Sequence, residues 1–458
     1  METFPMVRKA HLRLFWVLLL SLAPGFSKAQ LVFTAPADFG GLTGVGLFQT
    51  QNGTVSQIPT GFPDHLFPAV SRSGRFIVFS SPDGVQAPLQ VPPSSDIYIF
   101  DRLIRQTRRV VDHNTIIQSP SEVDSFTPVS AVMSPNEEVI AYGVMLTRRE
   151  GTANPRSTRE LNIARVSDGL ILANPTFGRG PVSDGLQAEF VGISWDPGGT
   201  SFVTPSYTTI QTQTGQLAQL PAIVRFALDR NRNWVRAEVL SAPRSFDGSF
   251  PIGAEAHMYP AISPSGTGLA YFNVAWPDVL GSSQPVITSV IIANANGSNA
   301  RVLTSFNQGF YPAGLAWSPD GTQLIVSIAE QSNIGTGFLP SADPASAVVR
   351  TISTANGQLG TFPGLDAGFW PSWSSQLLQS GPLQNARLTL GSSSNGDFRL
   401  RASGLVDNAP YFLQSSPTLQ PGSFGQPVQF TGSQLEAGIP VSFNSPNRFF
   451  RLVDPNAL

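Results

Sequence analysis

Apolar residues along this chain fall in short runs, separated by clusters of Gly, Pro, Ser, Asn and Asp. The clearest unit is GLAWSPDGTQLIVS, Gly314 to Ser327. Pro319 presets φ at the second position of a tight turn, Asp320 suits the third, and Gly321 takes the positive φ that lets the next strand start. The unit therefore predicts a hairpin of two buried strands, A and B. Blurred copies recur: SRSGRFIVFS from Ser71, SPNEEVIAYG from Ser134, DPGGTSFVTP from Asp196 and SPSGTGLAYF from Ser263. A decayed sixth copy, WPSWSSQLL, runs from Trp370 to Leu378. Counting the sixth turn from about 374, the turns are spaced by 63, 62, 67, 55 and about 56 residues. An aromatic-Pro or related pair precedes most copies: Phe67-Pro68, Thr127-Pro128, Tyr259-Pro260, Tyr311-Pro312 and Trp370-Pro371.

A second hairpin, strands C and D, follows within each period. These span Asp96–Asp112, Leu161–Ala173, Ala222–Leu240, Val290–Thr304 and Val348–Phe362. Four antiparallel strands per period describe a propeller blade. The sixth A–B copy has no C–D hairpin after it. An orphan C–D hairpin, Gly44 to Ile58, lies at the other end of the chain. Joining the two predicts a six-bladed β-propeller over residues 30–382, closed by the N-terminal hairpin and free of the open edges of a broken ring. The competing architecture is a β-sandwich with chance turn similarity. Six registered copies with matching leftovers at the two ends weigh against it.

The aromatic-Pro-x-x-Ser-Pro-Asp-Gly pattern, followed by strands of the VIIANANGSNARVLT type, resembles the WD40-like (PD40) repeat of the TolB-type β-propellers. The resemblance covers about 350 residues. It implies a propeller and a cell-envelope setting. It does not fix a function, since such propellers serve as protein-binding scaffolds, as gating domains of serine peptidases and as parts of lyases. Glu137 stands where the turn Gly is expected in the second copy, and the sixth copy lacks the turn.

After Pro382 the pattern changes. The pieces FRLRASG, PYFLQSSPTL and FFRLVDP suggest a small β-sandwich-like domain over residues 383–458. They resemble small β-domains appended to the C-termini of exported bacterial proteins, which implies attachment, sorting or adhesion. A structural cap is the alternative.

Residues 1–29 have the layout of a signal peptide. Arg8, Lys9 and Arg13 precede the apolar run Leu14–Ala23, and Ser27 and Ala29 occupy the small positions of a cleavage site. Ten apolar residues are too few for a membrane anchor, which needs about 20. The expectation is an exported protein, periplasmic, extracellular or at the cell surface, with no integral membrane segment after cleavage. Both lysines, Lys9 and Lys28, lie in this segment, so the mature chain would carry 24 arginines, 29 acidic residues and a net charge of −5. That balance argues against nucleic acid as a partner. Only 13% of residues are charged, against roughly 25% in an average soluble domain. The chain has no Cys, which excludes disulfides, thiolate nucleophiles and Cys-ligated zinc. Without Lys in the mature chain there is no Schiff base and no P-loop. About 75 residues after the propeller are too few for a peptidase domain. No cofactor and no metal are expected.

Two histidines share a column of the repeat. DHLFPAVS and AHMYPAIS place His65 and His257 two residues before an aromatic-Pro pair, beside Asp64 and Glu255. They belong to blades one and four, opposite one another, at the entry to the innermost strand. The functional expectation is a ligand-binding site at the channel mouth formed by Asp64, His65, Glu255 and His257. The plain alternative is a polar residue at a loop–strand junction.

Loop lengths give a second pointer. The A–B and C–D turns share one face and are short. The connections on the other face are long: Pro82 to Ser95, Thr147 to Arg159, Asn174 to Glu189, Ser241 to Ala256 and Glu330 to Ala345. The D–A connections on that face are acidic on balance, with Asp64, Glu122, Asp124, Asp184, Glu189, Asp247, Glu255 and Asp366 against Arg179 and Arg244. Long loops on a rigid ring are where binding concentrates. The sequence thus predicts a monomeric, non-catalytic scaffold that takes a protein or glycan partner on its long-loop face. The competing reading is a carbohydrate-active enzyme, lyase or hydrolase, working at the channel mouth. A purely surface-structural protein is the third.

Overall fold

A computed structural model describes residues 31–38, 43–51, 54–62, 64–82, 94–102, 104–113, 123–148, 156–176, 189–211, 217–243, 254–276, 286–332, 341–342, 346–362, 365, 367–373, 387–392, 398–403, 410–416, 428–440 and 449–453. The signal-like segment 1–29 and most of the long-loop residues lie outside them.

Six antiparallel sheets form a six-bladed β-propeller. Blade 1 holds Leu66–Val70, Phe76–Pro82, Ser95–Asp101 and Gln106–Val111, in that order from the axis outward. Blades 2, 3 and 4 repeat the order, beginning with Val123–Met133, Ser194–Trp195 and Ala254–Ile262. Blade 5 begins with Phe310–Trp317 and carries a small extra strand, Ser341–Ala342. The B and C strands carry most of the buried apolar residues of the ring; Ser95–Asp101 of blade 1, for example, is buried at every position. A strand covered on both faces reads as a continuous apolar run rather than an alternating one, which matches FIVFS and DIYIF.

The sixth sheet differs in detail from the sequence reading. Its innermost strand is Phe369–Trp373, followed by Leu31–Asp38, Thr43–Gln51 and Thr54–Gln57. The N-terminal segment thus supplies three strands, not the two of the expected hairpin. Leu31 pairs with Trp373 and Thr34 with Phe369. Leu31 and Val32 are fully buried and Phe33 is 2% exposed, so LVF fills the B position by the same burial that drives the other B strands. Residues 374–378, expected to form that strand, lie outside the described residues.

The repeat turn keeps one geometry in five blades. Residues 71–75, 134–138, 196–200, 263–267 and 318–322 each join strand A to strand B. In blade 5 the Ser318 N–H donates to Gln323 O (2.9 Å) and the Gly321 N–H to Ser318 O (2.9 Å), and the other four turns repeat both bonds. Glu137 adopts φ 62° where the other turns place glycine. It is retained with a contact of its own: Glu137 Oε1 accepts from the Ser73 N–H of blade 1 at 3.2 Å.

Neighbouring inner strands are laced together close to the axis. The Trp195 indole donates to Val132 O (3.1 Å) and the Trp317 indole to Ala261 O (2.8 Å). The Ser194 hydroxyl accepts from Ile262 N (2.9 Å) and the Ser372 hydroxyl from Val70 N (3.0 Å). Each bond satisfies a backbone group that no ladder reaches at the inner edge of a sheet.

Beyond Trp373, two three-stranded sheets follow. One contains Arg387–Ser392, Phe398–Ser403 and Ile439–Pro440; the other contains Val428–Thr431, Pro410–Ser416 and Phe449–Val453. They share a cluster of Ala402, Tyr411 and Leu435. Leu435 comes from a short helix, Gly432–Ala437, started by a capping box between Thr431 and Gln434. Among the described residues no helix is long and apolar enough to cross a membrane.

Candidate functional site

The four expected site residues lie where the repeat puts them, at the entry to the inner strands of blades 1 and 4. His65 is fully buried. Its Nδ1 donates to Val45 O at 2.9 Å and its Nε2 is bonded by the Thr60 hydroxyl, while the ring packs on Phe79 at 4.9 Å. Asp64 accepts from Val45 N at 2.9 Å. Burial pushes the His65 imidazole below its ordinary value, with the Val45 carbonyl and Asp64 pulling the other way. His257 is built alike. Its Nδ1 meets the Ser241 hydroxyl at 2.6 Å and its ring packs on Tyr271 at 4.9 Å. Glu255 is only 7% exposed. Each histidine therefore ties the segment leading into its blade to that blade's B strand. The contacts of His65 all lie on blades 6 and 1 and their connection; the ring and hydroxyl partners of His257 belong to blades 3 and 4.

The acidic loop residues are less solvated than their sequence context suggests. Glu189 is 2% exposed and accepts from the Ser206 hydroxyl (2.9 Å) and Tyr207 N (3.3 Å). Glu122, Asp184, Asp247 and Asp366 lie outside the described residues, as does the side chain of Asp124.

One further group has the donor set of a metal site: Asp96, Asp112 and His113 offer ligand atoms within 4.8 Å of one another. Arg109 already spans it, at 3.0 Å from Asp96 and 2.9 Å from Asp112. Asp96, fully buried, also accepts from His113 Nδ1 (2.7 Å) and His113 N (2.8 Å). An arginine between two carboxylates supplies the charge a cation would bring, so the cluster works as an ion-pair network of blade 1.

Sequence reasoning missed a cavity on the axis. A cavity of about 440 Å³ is lined by the inner strands of all six blades. Its inner end is a collar set four residues before each turn. Three positions carry aromatics, Phe67, Tyr259 and Trp370, and the other three carry Ser130, Gly192 and Gly314. Phe67 and Trp370 pack at 4.3 Å between ring centroids. Burial pushes the Tyr259 hydroxyl pKa up to about 12, with the Trp370 side chain pulling the other way. The small residues make room: a Cβ on Gly192 would sit 2.9 Å from Tyr259 Cα, and one on Gly314 would sit 2.8 Å from Trp370 Cα. The aromatics adopt φ 50°, 49° and 44°, left-handed values uncommon for bulky side chains and enriched at ligand clamps and active sites.

From the collar the cavity runs toward the short-turn face. The half-buried turn prolines Pro135, Pro197, Pro264 and Pro319 form its outer rim. Arg72 reaches from blade 1 across that rim to Pro197 O of blade 3 at 2.7 Å. The sequence signal was present in register: counting back four residues from each turn places Phe67, Tyr259 and Trp370 on one ring. Counting aromatic-Pro pairs instead blurs it, because Tyr311-Pro312 and Thr127-Pro128 stand three residues earlier in their blades.

No family model matches the chain, and no curated protein matches it. Among solved structures, the chain is similar to TolB from Acinetobacter baumannii, with 16% identity, 78% of this chain and 70% of that one covered, and a TM-score of 0.44. It is similar to a TolB described from Agrobacterium tumefaciens at 12% identity, covering 75% and 91% with a TM-score of 0.39. It is also similar to the periplasmic gluconolactonase of Pseudomonas aeruginosa at 13% identity, covering 76% and 98% with a TM-score of 0.38.

Proposed function

We propose that this chain is an exported, non-catalytic propeller scaffold that binds a protein or other macromolecular partner through its long-loop face. The asymmetry of the two faces carries the reading. Five A–B turns keep one five-residue form with one hydrogen-bond pattern. On the other face the connections run from Pro82 to Ser95, Ala173 to Ser194, Val239 to Ala254 and, interrupted by the small strand Ser341–Ala342, Ser332 to Val348. A rigid ring that keeps one face uniform and varies the other concentrates recognition on the varied face. In this reading residues 1–29 direct export and are removed. The N-terminal strands then close the ring in the last blade, His65 and Asp64 pin that closure to blade 1, and residues 383–458 form a small domain for attachment or capping.

The test is crosslinking and pull-down of the mature chain, residues 30–458, from envelope extract. A saturable partner competed by free mature protein is expected. Turnover of a polysaccharide by the isolated protein, with no partner captured, would favour the lyase or hydrolase reading. Deleting residues 385–458 is expected to release the propeller from its site of attachment, read by fractionation.

A further inference from the structure

The axial cavity lies on the side of the collar away from the long loops, so the macromolecular reading above leaves it unused. Phe67, Tyr259 and Trp370 close its far end. Its mouth is framed by A–B turns that brace one another. Glu137 Oε1 of blade 2 accepts from the Ser73 N–H of blade 1 at 3.2 Å. A Cβ added to Gly199 of blade 3 would lie 3.5 Å from Pro135 Cδ of blade 2, and one added to Gly266 of blade 4 would lie 3.2 Å from Pro197 Cδ of blade 3. Turn prolines seated on the next turn's glycine leave the backbone of the rim little room to swing. Arg72 departs from this frame. It follows the first residue of the blade 1 turn, the place that Pro135, Pro197, Pro264 and Pro319 hold in blades 2 to 5. It is exposed, it lines the cavity, and its guanidinium donates to Pro197 O of blade 3 at 2.7 Å. Blade 2 lies between blades 1 and 3, so the side chain runs as a chord over the mouth. A long side chain gives up rotamer freedom to stay there. A hydrogen bond from a charged donor shifts such a population by about 10-fold or more, which favours the bonded position without locking it.

We infer that Arg72 is a strap over the short-turn mouth of the axial cavity, closed while its guanidinium donates to Pro197 O and open when that bond breaks. The moving part is one side chain on a braced rim, so opening needs no change in the blades. The cavity, of about 440 Å³, then admits water past the strap and bulkier molecules only when the strap is off. Proline at this position, as in the other four turns, has neither the reach nor the donor to do the same.

The experiment is thiol labelling of the mature protein. The chain has no Cys, so one introduced thiol reports one place. Ser194→Cys and Ala316→Cys put it at half-buried positions that line the cavity on blades 3 and 5. Leu170→Cys, on the outer edge of blade 2 and 54% exposed, is the control. Each is labelled with N-ethylmaleimide and with the bulkier N-pyrenylmaleimide. Arg72→Ala is expected to speed the pyrenyl reagent about 10-fold at positions 194 and 316 and the ethyl reagent by no more than about 2-fold. Arg72→Met, which keeps a long side chain and loses the donor, shifts both rates in the same direction. The thiol at position 170 reacts at one rate whatever stands at position 72. Labelling at positions 194 and 316 that is indifferent to Arg72→Ala overturns the inference. Thiols at both positions that stay unreactive until urea is added, with or without Arg72, overturn it too. So does equal acceleration of the two reagents, which is the mark of a loosened fold and not of an opened strap. Partner capture on the long-loop face is read separately, so either result can fail alone.

Discussion

The collar makes a quantitative demand on Gly314. Its φ is 145°, and an added Cβ would lie 2.7 Å from Pro371 Cδ and 2.8 Å from Trp370 Cα, both on blade 6. Real carbon–carbon contacts sit near 3.5–4.0 Å, so Gly314→Ala must push the inner strands of blades 5 and 6 apart by the better part of an ångström. Two costs add. A sparsely populated backbone region costs of order 1–3 kcal/mol for a residue with a Cβ. Overpacking by one methyl against backbone costs about 1–3 kcal/mol. The expected loss is therefore about 2–6 kcal/mol. Gly321 supplies the control. It has φ 71° but nothing within 4 Å of an added Cβ, so Gly321→Ala carries only the left-handed backbone cost of about 1–2 kcal/mol. Urea denaturation of both variants, compared at unchanged m-value, reads the difference. Near-ultraviolet circular dichroism reports Trp370 and Tyr259 at the same time and is expected to change in Gly314→Ala alone. Equal destabilisation of the two variants, with an unchanged aromatic signal in both, would refute the packing described for the collar.

Three further outcomes follow from individual contacts. Trp317→Phe removes the donor to Ala261 O and leaves a buried carbonyl unpaired, costing about 1–3 kcal/mol in thermal or urea denaturation, whereas Trp373→Phe breaks no bond among the described residues and costs less. His65 is held below its ordinary pKa by burial. The unfolded chain then binds the proton more readily, so stability is complete above about pH 6.5 and declines as the pH drops below it; melting temperature against pH is expected to slope less steeply between 7 and 5 in His65→Asn than in the wild type. Asp96→Asn removes the carboxylate that Arg109 and His113 share and is expected to cost about 2 kcal/mol in thermal denaturation, while addition of a chelator leaves the wild-type melting temperature where it was.

Much of the fold was legible because one turn repeats with strict geometry. Ser318, Pro319, Asp320 and Gly321 each impose a local constraint that does not depend on distant residues, and the copies at Ser71, Ser134, Asp196 and Ser263 carry enough of it to set the register. The last blade was harder to read. Leu31–Asp38 was passed over as sequence next to a signal-like segment, because its strand character comes from being buried between blades 5 and 1 and not from a turn of its own. The histidine column was visible, and its residues do occupy equivalent places. What one sequence could not show is that each imidazole is engaged by a hydroxyl from its own incoming segment, Thr60 for His65 and Ser241 for His257. The cavity was hidden for a related reason. Phe67, Tyr259 and Trp370 lie in different blades, far apart in the chain, and meet only when the ring is closed.

The central claim is that the two faces of the propeller do different work, with the macromolecular partner on the long-loop face. Site-specific photocrosslinking in intact cells tests it most directly. A benzophenone side chain is placed at Asp184, in the connection between blades 2 and 3, and in a separate variant at Asp320, in the A–B turn of blade 5. A discrete, reproducible adduct from position 184 and none from position 320 is the predicted result. Adducts from position 320 alone, or none from either position, would contradict it.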